Sequence, residues 1–353
     1  MPLTKWNAYL KKNLFSNHDG FFELPYLSNS PELMVESVLK MPVSKHQKSE
    51  QAIYTDNAYT TGVMRYRKIE DGLWLLGSDL NIKKNIISKA IYNPDLTSDY
   101  YFLSFAVFEY QFPVDDNFIK LATLLSTTCT FYKPKTEVNT YFYEGTRGKF
   151  FNIVFNKQWA EKNLAFTSEE EQKEICDYLD NDSGFINWLD IVPDAPALSK
   201  EIWEHLEKET DGEFNTEALR IQLQHIIGSF FRHAYKDKRI KNHTALHNPD
   251  YANVASAERI ILHNLTAPFV GVNHIAKAVN LSPTKLKIIF KSVFGFSMLQ
   301  YHKEKNMLLA MQLIKNSDMQ IKNIAAITGY LSSSKFSATF KKRFGILPTS
   351  IRK

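Results

Sequence analysis

Through the first 160 positions, apolar and polar residues alternate in short runs. TTGVMRYRKI, GLWLLGSDLNI, YYFLSFAVFEYQF and GKFFNIVFN are rich in β-branched and aromatic residues, and turn-prone NPDLTSD, FPVDDN and YKPKTE separate them. The pattern predicts a β-rich domain over residues 1–165, sandwich-like or barrel-like, with Pro113 stopping the strand that ends in EYQF. From Thr167 the period lengthens. TSEEEQKEICDYLD starts with a capping Thr167 or Ser168 and an acidic first turn, as a helix N-terminus does. ALSKEIWEHLEKE sets Leu198, Ile202 and Leu206 four apart. TEALRIQLQHIIGSFFRHAY puts Leu219, Leu223, Ile226, Ile227 and Phe230 on one side. Residues 166–240 are therefore expected to form helices that pack on the β domain or on a second copy of the chain. A polar linker is expected at 241–255, where Asn248, Pro249 and Asp250 are turn residues.

Beyond the linker one pattern occurs twice. In the first copy, residues 272–295, an apolar face of Val272, Ile275, Ala276 and Val279 is followed by a turn at Asn280, Leu281 and Ser282. A second helix follows, with Pro283 at its first position, Leu286, Ile289, Phe290 and Val293 inward, and Gly295 just past its end. The second copy, residues 321–345, aligns Ile321, Ile324, Ala325 and Thr328 with the first face at an offset of 49. Its Phe336, Phe340, Phe344 and Gly345 match Leu286, Phe290, Phe294 and Gly295 at an offset of 50, so its turn is longer by one residue. Either Ser332 or Ser333 would cap it. Two short helices joined by such a turn make a helix-turn-helix. SMLQYHKEKNMLLAMQLIKNS, between the copies, reads as one long amphipathic helix with Leu299, Met307, Ala310, Met311 and Ile314 facing inward. At about 1.5 Å per residue such a helix is roughly 27 Å long. With the motifs' own width it would place the two second helices in successive major-groove segments, roughly 34 Å apart.

Charge sharpens this reading. From Ser256 onward, 15 Lys and Arg face 3 Asp and Glu, whereas the rest of the 353-residue chain holds 28 against 35. A basic end on an acidic body suggests a polyanion partner for the basic part. Other classes of chemistry find little support. Only Cys129 and Cys176 occur, too few for a disulfide framework or a zinc site, which points to the cytoplasm. MPLTKWNAYLKKNLFSN lacks the apolar stretch of a signal sequence, and no run of 18 apolar residues exists, so no membrane contact is expected. His243 and His247 have the spacing of helical metal ligands, but they sit in a polar stretch without further ligands. Neither a GxxxxGK loop nor a GxSxG elbow is present, so neither an enzyme nor a cofactor is expected.

IAKAVNLSP, LKIIFKSVFGFS with Tyr301 opening the next helix, and IAAITGY followed by FSATFKKRFGILPTS together resemble the DNA-binding domain of AraC/XylS-type transcription regulators, over residues 256–353. The resemblance implies an α+β multidomain protein of bacterial type, with a sensing domain ahead of an all-α double helix-turn-helix. It also implies a double-stranded operator and a homodimer as partners, with RNA polymerase and a small-molecule effector as further ones. The positions left outward on the first recognition helix are Thr284, Lys285, Lys287, Ile288 and Lys291. On the second, Ser333, Ser334, Ser337 and Ala338 are expected to face the bases, and Lys335, Lys341, Lys342 and Arg343 the phosphates. The chain departs from the family at Ile288 and Ala338, where relatives often carry arginine, and at Asn306 in the connecting helix.

Overall fold

The computed structural model describes residues 8–9, 12–18, 20–41, 44–113, 121–164, 166–180, 185–189, 195–208, 213–236 and 248–351. Strands β1 (Asn17–His18), β2 (Phe21–Leu27), β3 (Ser44–Gln47), β4 (Ala52–Asp56), β5 (Thr60–Glu70), β6 (Leu73–Ile82), β7 (Ile86–Ile91), β8 (Tyr100–Pro113), β9 (Leu121–Tyr132), β10 (Asn139–Phe142), β11 (Arg147–Asn156) and β12 (Phe185–Leu189) form two sheets. The larger runs β12-β9-β8-β11-β6-β5-β4-β3 and the smaller β1-β2-β7-β10. The pairs in the larger sheet for which a register is defined are antiparallel, as in Phe151↔Gly77 and Arg65↔Gly77. In the smaller sheet β2 and β7 run parallel, with Pro25 opposite Lys89. Pro25 is tolerated because β1 pairs only with Phe21 and Phe22, leaving β2 an edge at that point.

The large sheet is buried on both faces, and alternation decides which residue goes where. Leu73, Leu75, Tyr101, Leu103, Phe105, Phe131, Phe151, Ile153 and Phe155 point to one side. There they meet helices α2 (Lys157–Asn163), α3 (Glu169–Asp180), α4 (Ala195–Glu207) and α5 (Glu213–Lys236) through Tyr178, Ile202, Leu206, Leu219, Leu223, Ile226, Ile227 and Phe230. The stripes expected to serve either packing or a second copy are thus buried within this domain. Arg67 fastens one of these helices: its guanidinium donates to the carbonyls of Leu206 and Lys208, both at 3.1 Å, at the C-terminal end of α4.

On the other side, Phe102, Leu76, Val154, Met64 and Ile53 pack with Tyr26 and with Met34 and Val35 of α1 (Pro31–Leu39). Helix α1 falls inside the stretch expected to be β-rich, where the sequence pattern places no helix. Ser30 caps it by accepting from the Leu33 amide, and Pro31 opens it. Phe142 of the small sheet meets Phe150 of the large one edge to face at 4.8 Å, so the two sheets lie face to face. Between these apolar contacts the facing surfaces are polar. Ser104 donates to Asn152 on the large sheet, and the Tyr132 phenol bonds with Thr140 of the small sheet and with Ser104. Tyr26 bonds with Ser28 and Ser88. Tyr26, Ser88, Ser104, Tyr132, Thr140 and Asn152 all keep partial water accessibility although they face inward. Enclosure nonetheless pushes the Tyr26 and Tyr132 phenols up.

The chain divides into two compact units, one of Met1–Val107 with Thr127–Asn248 and one of Phe108–Ser126 with Pro249–Lys353. Of the expected linker, residues 241–247 lie outside the described residues, as do His243 and His247. From Asn248 the chain is helical: α6 spans Asn248–His263. Asn248, Pro249 and Asp250 are therefore not a turn but the start of that helix, where proline is tolerated. The chain continues with α7 (Val272–Ala278), α8 (Pro283–Phe294), α9 (Met298–Asn316), α10 (Ile321–Ile327) and α11 (Ser333–Phe344), so the described part of the second unit from Pro249 onward is helical while the first unit is α+β.

Candidate nucleic-acid interface

The two helix-turn-helix motifs share their backbone as well as their pattern. In the first, the Leu281 amide donates to the Ala276 carbonyl at 3.0 Å, and in the second the Tyr330 amide donates to the Ala325 carbonyl at 2.8 Å. Asn280 (φ +53°) and Gly329 (φ +79°) occupy the left-handed position at the same place in each turn, where the two residue types that adopt it most readily are found. Ser282 caps α8 by accepting from the Lys285 amide at 3.2 Å, with Pro283 at the first position. Ser332 rather than Ser333 caps α11, accepting from the Lys335 amide at 3.3 Å. Gly295 (φ +74°) and Gly345 (φ +78°) end the two recognition helices identically. The extra residue of the second motif falls between Tyr330 and the cap.

Packing fixes which faces remain outside. Leu286, Ile289, Phe290 and Val293 of α8 are buried, as are Phe336 and Phe340 of α11. The connecting helix α9 is held by Tyr301, whose ring lies 5.4 Å from Phe290, and by Met307, Leu309, Ala310 and Ile314 in the core around Phe336 and Phe340. Leu299, expected inward, is instead exposed, and Met298 takes the buried place. Met311 packs against the core only in part.

What is left outward on α8 is Thr284, Lys287, Ile288 and Lys291, spaced i, i+3, i+4, i+7, with Lys285 beside them. On α11 the equivalent set is Ser334, Ser337, Ala338 and Lys341, fifty positions later, with Ser333, Lys335 and Lys342 around it. All are exposed except Ser337, which is half-buried. Arg343 is placed differently. Its Nε donates to both carboxylate oxygens of Glu304 on α9, at 2.7 and 2.9 Å, and its terminal nitrogen also reaches Glu304. This side chain ties the second recognition helix to the connecting helix. Glu304 is the residue that reading the sequence missed, since a lone acid in a basic stretch carries no periodic signal. Leu331, one residue before the cap, was also missed and is fully exposed.

A polar group of residues lies inside the same unit. The Tyr301 hydroxyl bonds with Glu258 of α6, whose carboxyl burial raises. His302, Lys305 and Asn306 are buried one turn on. Burial lowers the His302 imidazole, outweighing the nearby carbonyls of Asn264 and Ala267, which favour the cation. Burial also raises both thiols of the chain, Cys129 and Cys176, which sit in the first unit.

Residues 275–353 match the model of a helix-turn-helix domain. The HTH-type transcriptional regulator ExsA of Pseudomonas aeruginosa is 35% identical over 81 residues, covering 23% of this chain and 29% of that protein. The HTH-type transcriptional regulator AlkR of Acinetobacter baylyi is 31% identical over 109 residues, covering 31% and 34%. A solved transcriptional regulator with an AraC-type DNA-binding domain, from Chromobacterium violaceum, shares 25% identity over 30% of this chain and 94% of its own, with a TM-score of 0.28. The chain thus spans about a third of the length of the curated relatives it matches. Among the described residues no helix is long and apolar enough to cross a membrane.

Proposed function

From a C-terminal domain that is of the AraC type, we infer that this chain is a sequence-specific DNA-binding transcription regulator. The observation that carries the reading is the duplicated motif, with the same turn, cap and glycine end presenting the same outward i, i+3, i+4, i+7 face twice. Lysines on and beside those faces would meet phosphates, and the side chains between them the base edges. Fluorescence anisotropy on labelled duplexes at several salt concentrations tests it. Affinity should fall steeply as salt rises and should discriminate between duplexes of different sequence. Attachment insensitive to salt, or equal for every sequence, would overturn it.

The first unit would sense an effector. The polar, water-accessible side chains on its facing sheets support this, because a dry sandwich interior would carry apolar residues at those positions. A thermal-shift screen of the full chain against small metabolites checks the idea. A stabilising compound should lose its effect in Thr140→Val or Asn152→Leu. A homodimer remains part of the reading, through a surface other than the stripes of α4 and α5, which are buried within the chain. RNA polymerase would be the further partner of an activator. The second reading is a DNA binder without an effector, and screening that finds no stabilising compound would favour it.

A further inference from the structure

Scattered exposed aliphatic residues are ordinary on a protein surface. Two here are not scattered. Ile288 is 64% exposed at the centre of the outward face of α8, between Lys287 and Lys291 and one turn after Thr284. Leu331 is fully exposed immediately before the cap of α11, the end of a recognition helix that enters the groove. Leu331 is the residue by which the second turn is longer, so the first motif has no counterpart to it; Leu281 there corresponds to Tyr330, and both are half-buried. Ala338, which matches Ile288 at the fifty-residue offset, is also exposed and also presents only an alkyl group.

The complementary fact is where the guanidinium has gone. Guanine is most often read by an arginine fork on its O6 and N7. The two recognition helices contain a single arginine, Arg343, and Glu304 already occupies its fork. Alkyl groups at the centre of a major-groove surface have one matching feature on a base edge, the 5-methyl group of thymine.

We propose that the two recognition helices select thymine-bearing base pairs by alkyl contact, through Ile288 in the first motif and through Leu331 with Ala338 in the second. This rests on the reading of the chain as a sequence-specific DNA binder. Lysines and serines supply position and the remaining hydrogen bonds, and the alkyl groups supply the discrimination at their own base pairs.

The test uses the full chain. Duplexes are selected from a random library, and the best is resynthesised with deoxyuridine replacing thymidine one position at a time. This removes one methyl group and leaves base pairing unchanged. Binding is measured by anisotropy at fixed salt. Each contacted methyl should be worth about fourfold in affinity, the effect of burying one methylene-sized group. At least one such thymine should be found under each motif. In Ile288→Ala the penalty at one of them should vanish, and in Leu331→Ala the penalty at the other, while Ile288→Val keeps most of it. Both sites are exposed, so folding is not at issue, and the salt dependence should stay as in the parent. Deoxyuridine tolerated at every position overturns the proposal, as does a penalty that survives both alanine variants. Should no duplex be selected at all, the reading as a specific DNA binder falls first.

Discussion

Arg343 illustrates how much a single neighbour changes a residue's role. By sequence it belongs with Lys341 and Lys342 as a phosphate contact, since all three lie in the last turn of a basic helix. In the fold its guanidinium meets the Glu304 carboxylate through two nitrogens, an arrangement that fixes direction as well as charge. Lys341 and Lys342 remain exposed. Substituting each lysine by alanine should weaken binding to all duplexes and reduce the salt slope by about 1. Arg343→Ala should leave that slope nearly unchanged and should instead blur the preference among sequences, because the angle of α11 against α9 is no longer fixed. Anisotropy titrations at a series of salt concentrations separate the two outcomes. A slope that drops equally in all three variants would return Arg343 to the phosphate-binding set.

At the scale of elements, what repeats in the sequence is what local physics dictates. A serine before a helix, a left-handed residue in the turn and a glycine after the end each answer a specific unpaired backbone group, so spacing alone located both motifs. The same grammar was present at Ser30-Pro31, yet helix α1 was hidden by the strand-like runs around it. Whether α4 and α5 would meet their own sheet or another chain could not be read from amphipathic spacing, which gives a face but not its partner. Sheet order and the inward polar surfaces depend on contacts far apart in sequence and left no local trace. Two substitutions probe these elements. Phe336→Ala, at a fully buried position, should cost the second unit about 3–5 kcal/mol. Arg67→Met should cost the first unit roughly 2–4 kcal/mol, since the Leu206 and Lys208 carbonyls lose a charged donor. Calorimetric melting of the full chain should show each effect, and an unchanged profile for Arg67→Met would mean that water replaces the guanidinium without loss.

For the whole molecule, the two units have separate cores and opposite charge, and their response to acid should differ as well. The decisive group is His302, buried in the second unit and held below the ordinary imidazole value near 6.5. Below that pH the unfolded chain takes up a proton at His302 that the folded unit resists, so the unfolded state binds more protons there. Stability attributable to His302 is therefore complete above about pH 6.5 and declines as pH falls beneath it. Glu258 works in the opposite sense: burial raises its carboxyl, so the folded state holds a proton that the unfolded chain has released. Comparing the parent with His302→Gln cancels the Glu258 contribution. Between pH 7.5 and 5.5 the melting transition of the second unit should fall further in the parent than in the variant, and DNA affinity should follow that transition. Parallel profiles for the two proteins would show that His302 takes its proton as readily in the folded unit as in the unfolded chain, and the acid response of this end of the molecule would then have to come from elsewhere.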